Sequence, residues 1–366
     1  MEFRISTEAL QRALYRAHGI VDRKATMPIL ANVLLEAADG RLRVSATDLE
    51  IGLRDEHEAT IGQPGRVTVP AKHLLDIVRS LPEGEVTLRR MPNDRVEITS
   101  GKARFRLVGA SADDFPSLPD VEHVPMVDLS ADVLSEMIEK TQYAVSTDET
   151  RYNLNGVYVE RRDGLVRMVA TDGHRLSLIE RDVGEELILD RGVIVPRKGL
   201  AEMRRLLSER PGTVSLGFSG SNSVFRTESL VLVMRLIDGQ FPDYEQVIPS
   251  STNNTILVER ETLLSALKRV RLVSGDRAPS VRITAKDGVF TISSENPDLG
   301  EASEEIEVEY QGGELGVGFN ANYLVDVLSV LNDPRVRLDI SDELAPGIIR
   351  PESVEGYTAV VMPMRI

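Results

Sequence analysis

The sequence has no cysteine and no tryptophan, and aromatic residues make up only 4% of its 366 positions. Without thiols there are no disulfide staples, no thiolate metal sites and no cysteine nucleophile. That composition suits a reducing, cytoplasmic setting. So few aromatics argue against a platform on which single-stranded bases stack. No apolar run approaches the roughly 20 residues of a membrane span. The opening MEFRISTEALQ has neither the basic nor the apolar region of a secretion signal, so no membrane partner is expected. The histidines (His18, His57, His73, His123 and His174) form no H-x-x-x-H pair, so neither a metal nor a cofactor is expected. Positive charge is the minority: the formal net charge is −15, which taken whole argues against a nucleic-acid binder.

What is present is a threefold repetition. RLRVSATDLEIGLRDE (Arg41 to Glu56), LVRMVATDGHRLSLIE (Leu165 to Glu180) and GVFTISSENPDLGEAS (Gly288 to Ser303) each read as an apolar run, a polar turn and a second alternating run. That pattern predicts a hairpin of half-buried strands. Thr47, Thr171 and Glu295 stand at matching points, 124 residues apart (171 − 47 and 295 − 171), about a third of the chain. A period of that length means tandem domains, because solenoid repeats are far shorter.

Other segments recur in phase. Each third opens with a short strand and an amphipathic helix, the first with Thr7 as N-cap and Leu10, Ala13, Leu14 and Ala17 inward. In the second, Val133, Met137 and Ile138 are expected to face inward. VTVPAKHLLDIVRSLPEGEVTL, VIVPRKGLAEMRRLLSERPGTVSL and GVGFNANYLVDVLSVLNDPRVRL each predict a strand, a turn, a helix and another strand. Pro70 and Pro196 suit helix starts, where a missing donor is harmless. The fold class is therefore α+β: three copies, each with two helices, about eight short strands and antiparallel sheets. Linkers are expected near 117–126 and 245–254, leaving domains at 1–118, 127–244 and 255–366.

The helices carry the scarce positive charge: Arg12, Arg16, His18, Arg23 and Lys24; Lys72 and Arg79; Arg197, Lys198, Arg204, Arg205 and Arg210; Lys268, Arg269 and Arg271. Acid gathers in strand and loop segments such as Asp55 to Glu58 and Glu301 to Glu309. A cationic lining inside an acidic wall suits a ring around a polyanion, gripping phosphates without reading bases. With helices roughly 10 Å apart, six would leave about 9 Å clear, too little for a duplex roughly 20 Å wide. Twelve helices from two chains would leave about 28 Å.

Taken together, RYNLNG (Arg151 to Gly156), ATDGHRL (Ala170 to Leu176), VIVPRKG (Val193 to Gly199), DGQFPDY (Asp238 to Tyr244), GFNANYLVDVL (Gly318 to Leu328) and VVMPMRI (Val360 to Ile366) closely resemble the bacterial DNA polymerase III β sliding clamps over the whole chain. The resemblance implies three clamp domains, each with two antiparallel sheets and two helices, closing as a head-to-tail homodimer into a ring. It implies a non-catalytic processivity factor that encircles duplex DNA without sequence preference. It also implies a clamp loader that places the ring on DNA, and polymerases and mismatch-repair proteins that dock through a short peptide, roughly Gln-Leu-x-Leu-Phe. The peptide pocket, between the second and third domains, maps by resemblance to Leu154, Thr171, Gly173, His174, Arg175, Leu176, Pro242, Val247, Asn320, Tyr323, Leu344, Pro346, Val360, Val361, Met362, Pro363, Met364 and Arg365. DNA contacts map to Lys24, Lys72, Arg151, Tyr152, Arg197 and Lys198, and the dimer seam to Phe105 and Leu107 with Leu272 and Val273. Gln246, Ala278, Ile366 and Asn153 depart from the residues common in relatives.

Catalysis finds little in the sequence. Asp172 beside His174 suggests a base with its orienting partner, but no nucleophile accompanies them, and Asp-Gly is first a turn signal. No phosphate-binding G-x-x-x-x-G-K-[ST] loop is present. A second function class stays open: a tandem-repeat peptide scaffold that never meets DNA, which the acidic charge would tolerate.

Overall fold

The computed structural model describes the chain except residues 22–26, 185–186, 188, 190, 210, 250–251, 276–278 and 366. Arg23, Lys24, Arg210, Ala278 and Ile366 therefore lie outside the described residues. The chain forms two compact units. The first takes in Met1–Asp132 and Lys198–Leu236; the second takes in Val133–Gly184, Leu189–Arg197 and Ile237–Ile366.

In the first unit a five-stranded antiparallel sheet joins Thr60–Gln63, Glu2–Ser6, Glu85–Arg90, Arg95–Ser100 and Ala103–Val108. An eight-stranded sheet runs from Val127–Ser130 through Thr213–Ser219, Asn222–Arg226, Leu230–Arg235, Ile51–Glu58, Arg41–Thr47 and Asn32–Ala38 to Gly65–Pro70. It takes four strands from the first repeat and four from the second, joined where Leu230–Arg235 pairs with Ile51–Glu58.

The second unit repeats this plan. Its eight-stranded sheet runs Val193–Pro196, Gly156–Arg162, Leu165–Thr171, Arg175–Arg181, Tyr357–Val361, Gly347–Pro351, Arg335–Ile340 and Asn254–Glu259. The remaining sheet orders Gly300–Glu307, Val289–Asn296, Ser280–Lys286 and Leu315–Asn320. Each repeat thus contributes strands to two antiparallel sheets.

Six α-helices are present among the described residues: α1 (Thr7–Ile20), α2 (Ala71–Ser80), α3 (Ala131–Gln142), α4 (Arg197–Leu207), α5 (Arg260–Val270) and α6 (Ala321–Ser329). Apolar residues at helical spacing place them. Leu10, Ala13, Leu14 and Ala17 of α1 are fully buried, and α1 packs on α2 and on strands Arg41–Thr47 and Ile51–Glu58. In the second unit α5 packs likewise on α6 and on Val289–Asn296 and Gly300–Glu307.

Details differ from the sequence pattern. Ser6, not Thr7, is the N-cap of α1, its hydroxyl accepting from Ala9 N at 3.1 Å. Either residue could cap; the strand runs Glu2–Ser6 and the helix begins directly at Thr7, so the last strand residue takes the capping place. In α3, Leu134 is buried while Val133 is half-buried. Strand Gly65–Pro70 runs straight into α2 with no intervening turn, and Pro70 stands just ahead of the first helical residue.

Candidate functional site

The three hairpins predicted from the repeat all form. Two share one turn. Thr171 Oγ1 donates to Arg175 O (2.6 Å) and accepts from Gly173 N (3.1 Å). Asp172 Oδ1 accepts from His174 N (2.9 Å) and Arg175 N (3.0 Å). Thr47 and Asp48 make the same bonds around Leu49 to Ile51. The Thr-Asp pair thus closes the turn on its own side chains. At Gly173 the turn needs a left-handed φ of +89°.

This turn organises the candidate pocket. Each nitrogen of Arg175 is bonded inside the fold: Nε to Asp172 (3.1 Å), Nη1 to Asp326 of α6 (2.5 Å) and Nη2 to the carbonyl of Tyr143 (2.6 Å). Its guanidinium lies 4.6 Å from the Tyr323 ring centre and 5.3 Å from that of Tyr143. His174 in turn stacks on Tyr323, centroids 6.4 Å apart at 17°. Burial pushes the Tyr323 hydroxyl up, with the Asp172 charge adding to it. Asp172 therefore grips backbone and Arg175, and the imidazole of His174 faces an aromatic ring rather than a carboxylate.

The chain's last strand completes the wall. Val361 pairs with Arg175 and Val360 with Leu176. Beyond it Met362 N donates to His174 O (2.9 Å) and Met364 N to Gly318 O (2.8 Å). Asn320 caps α6 by accepting from Asn322 N at 2.9 Å. Leu154, Leu176 and Val360 lie in a buried floor with Val169, Leu178, Ile194, Phe241 and Tyr244, and Val361 is fully buried. Tyr158 stacks on Phe241 at 4.9 Å. Tyr244 donates to Glu160 and accepts from Arg167; burial, then the bond to Glu160, pushes its pKa up to about 12. Of the other expected pocket residues, Gly173, His174, Pro242, Val247, Leu344, Met362 and Arg365 are exposed, and Thr171, Asn320, Tyr323, Pro346, Pro363 and Met364 are half-buried. An adaptable apolar rim over such a floor, with few polar groups between, is the chemistry of a linear-peptide site.

The expected DNA residues lie in both units. In the first, Lys72 is exposed on α2, and Lys198 is ion-paired with Asp48 of the first-repeat turn. In the second, Arg151 and Tyr152 lie on a 3-10 turn, Glu149–Leu154, and are exposed. Arg197 N donates to Asn155 O at 3.1 Å, tying α4's first residue to that turn. Asn153 donates to Gln240 O at 3.0 Å and so serves the fold. Arg16 departs from the basic-face expectation: it is buried, its guanidinium on Asp55 (2.9 Å) and Glu209 (2.8 Å). An arginine on a helix whose sheet carries a buried aspartate is drawn inward to neutralise it. Of the seam residues, Phe105 and Leu107 lie half-buried on the edge strand Ala103–Val108. Leu272 is exposed and Val273 half-buried in the turn after α5.

Sequence reading missed Asp326 and Tyr143, which hold Arg175. Asp326 had a signal, standing three residues beyond Tyr323 and so on the same helical face.

Family models of the DNA polymerase III beta subunit match the N-terminal domain at residues 1–119, the central domain at 128–243 and the C-terminal domain at 245–365. The chain belongs to the DNA polymerase III beta subunit family. A beta sliding clamp of Caulobacter vibrioides is 38% identical over the full length of both chains. The crystal structure of the polymerase III subunit beta from Pseudomonas aeruginosa matches with a TM-score of 0.95 at 35% identity, covering both chains fully. A sliding clamp from Bartonella birtlesii, solved bound to griselimycin, matches at 0.95 and 36%, again over both full chains. The function is that of a sliding clamp: a DNA replication processivity factor associated with DNA polymerase III. The family is one of non-catalytic factors. Among the described residues no helix is long and apolar enough to cross a membrane, and no His, Asp and Glu cluster could hold a metal.

Proposed function

We propose that two copies of this chain close head to tail into a ring that encircles duplex DNA, each built of clamp domains at 1–118, 127–244 and 255–366. Two unpaired sheet edges carry this reading. The edge strand Ala103–Val108 brings Arg104 and Arg106, while the edge strand Gly300–Glu307 brings Glu301, Glu304, Glu305 and Glu307. An open edge is a template for another strand, and opposite charge selects which one. Phe105 and Leu107 of one copy, with Leu272 and Val273 of the other, supply the apolar part of the seam.

Lys24, Lys72, Arg151, Tyr152, Arg197 and Lys198 meet the phosphates in loose, salt-sensitive contacts. A clamp loader opens the ring. Polymerases and mismatch-repair proteins dock a linear peptide on the floor and rim described above. The chain itself catalyses nothing, and it works in the cytoplasm where the DNA is.

The test of the peptide site is removal of Met362–Ile366, which takes away the Met362–His174 and Met364–Gly318 bonds. Polymerase stimulation is expected to vanish while the particle still sediments as a dimer. Stimulation that survives would refute the site.

A further inference from the structure

The partner-peptide floor has a counterpart one repeat earlier, inside the first unit. Thr47 pairs with Gly52 as Thr171 pairs with Leu176, and Gly52 pairs with Val233 as Leu176 pairs with Val360. Strand register thus puts Gly52 where the peptide site has Leu176, Arg54 where it has Leu178, and Val233 where it has Val360. The Phe-Pro step that leads out of each hairpin sheet also repeats, as Phe115-Pro116 and Phe241-Pro242, so Leu118 answers to Tyr244.

Those two equivalent residues go to different places. Tyr244 lies in the floor, its hydroxyl between Glu160 and Arg167, at the end of the hairpin strands far from the turn. Leu118 lies instead at the turn end of its hairpin, over Gly52. A Cβ built on Gly52 would stand 2.7 Å from Leu118 Cδ2, so the leucine occupies the space a side chain there would need. Arg54 Nη2 donates to the Leu118 carbonyl at 3.0 Å, and Arg226 Nη2 holds the Val121 carbonyl at 3.1 Å. Val121 then packs on Val233 and Val224. Residues 116–121 are therefore strapped across the strands at two carbonyls. On either side of the strap the surface stays hollow. A cavity of about 280 Å³ opens between Thr47–Gly52, Pro116–Pro119 and Val233. Another of about 430 Å³ opens beneath Phe115–Leu118.

We propose that this place is a second, latent peptide site, occupied in cis: Leu118 fills the position that an apolar side chain of a partner's linear peptide takes in the second unit. The inference rests on the peptide site proposed above. The strap limits each chain to one docked partner. Loosening it exposes an apolar position over Gly52 and Val233 to a ligand of the same chemical class.

The test is a titration of the full-length protein with a fluorescein-labelled peptide, Gln-Leu-Ser-Leu-Phe. The unaltered protein should bind one peptide per chain. Leu118→Ala should bind two, the second more weakly. A photoreactive form of the peptide should then label the Thr47–Gly52 turn as well as Thr171–Leu176. Arg54→Ala, which frees the Leu118 carbonyl without opening the core, should show the same second event, and it carries the test if Leu118→Ala does not fold. One peptide per chain in a folded variant, with labelling confined to Thr171–Leu176, overturns the proposal. No peptide bound to the unaltered protein would instead refute the second-unit site on which it rests.

Discussion

Asp48 uses its two carboxylate oxygens for different ends. Oδ1 closes the first-repeat turn on Glu50 N and Ile51 N, and Oδ2 holds the ammonium of Lys198. The carboxylate is nearly buried while the lysine is 44% exposed, so a phosphate reaching Lys198 competes with an anion already in place. Asp48→Asn keeps the turn-closing oxygen and removes the competing charge. DNA affinity of the unloaded protein is expected to rise about 2- to 5-fold at low salt, the range of an exposed ion pair. The gain should fade as salt screens the contact, which a filter-binding series would show. Gly173 is constrained from two sides: its φ is +89°, and a Cβ there would lie 2.8 Å from Arg151 Nη1. Gly173→Ala is expected to cost about 1–3 kcal/mol in thermal unfolding and to weaken peptide binding. The Thr-Asp turn was legible because both residues close it locally. The burial of Arg16 and the capture of Lys198 were not, because Asp55 and Asp48 lie far from them in sequence.

Among the elements, α3 shows how a helix is fixed to its sheet. Glu136 accepts from Arg181 on strand Arg175–Arg181 (2.7 and 3.0 Å) and from Lys140 one turn on (2.7 Å). Burial opposes the charge, but these bonds and the two cations outweigh it and hold the carboxyl at about 2, against an ordinary 4.5. A carboxyl depressed in the folded state stabilises it above the unfolded pKa and loses that contribution as pH falls. Stability should therefore decline between pH 4.5 and about 2, and Glu136→Gln should flatten that part of the denaturation profile. Arg175 joins three elements at once, the hairpin, the end of α3 and α6. Arg175→Lys keeps the charge but not the fork, so it is expected to lose the Asp326 and Tyr143 contacts together and weaken peptide binding about tenfold, read by fluorescence anisotropy. Amphipathic spacing made the helices readable. The convergence on Arg175 depends on how α6 meets the hairpin, which spacing within either element does not encode.

At the scale of the molecule, periodicity in the sequence announced three copies, and register made them share sheets. Each eight-stranded sheet is assembled from two neighbouring repeats, so no repeat stands as an isolated layer. Two of the edge strands, Ala103–Val108 and Gly300–Glu307, carry opposite charge. Reversing Arg104 and Arg106 to glutamate should weaken dimerisation about tenfold or more by sedimentation, and reversing Glu301 and Glu305 to arginine in the same chain should restore much of it. The central claim, that this protein holds DNA by encirclement, is tested most directly by loading it with clamp loader and ATP onto nicked circular DNA and then cutting the circle. Encirclement predicts that the protein is retained on the circle and released when the DNA is linearised. Equal retention on circular and linear DNA would contradict it.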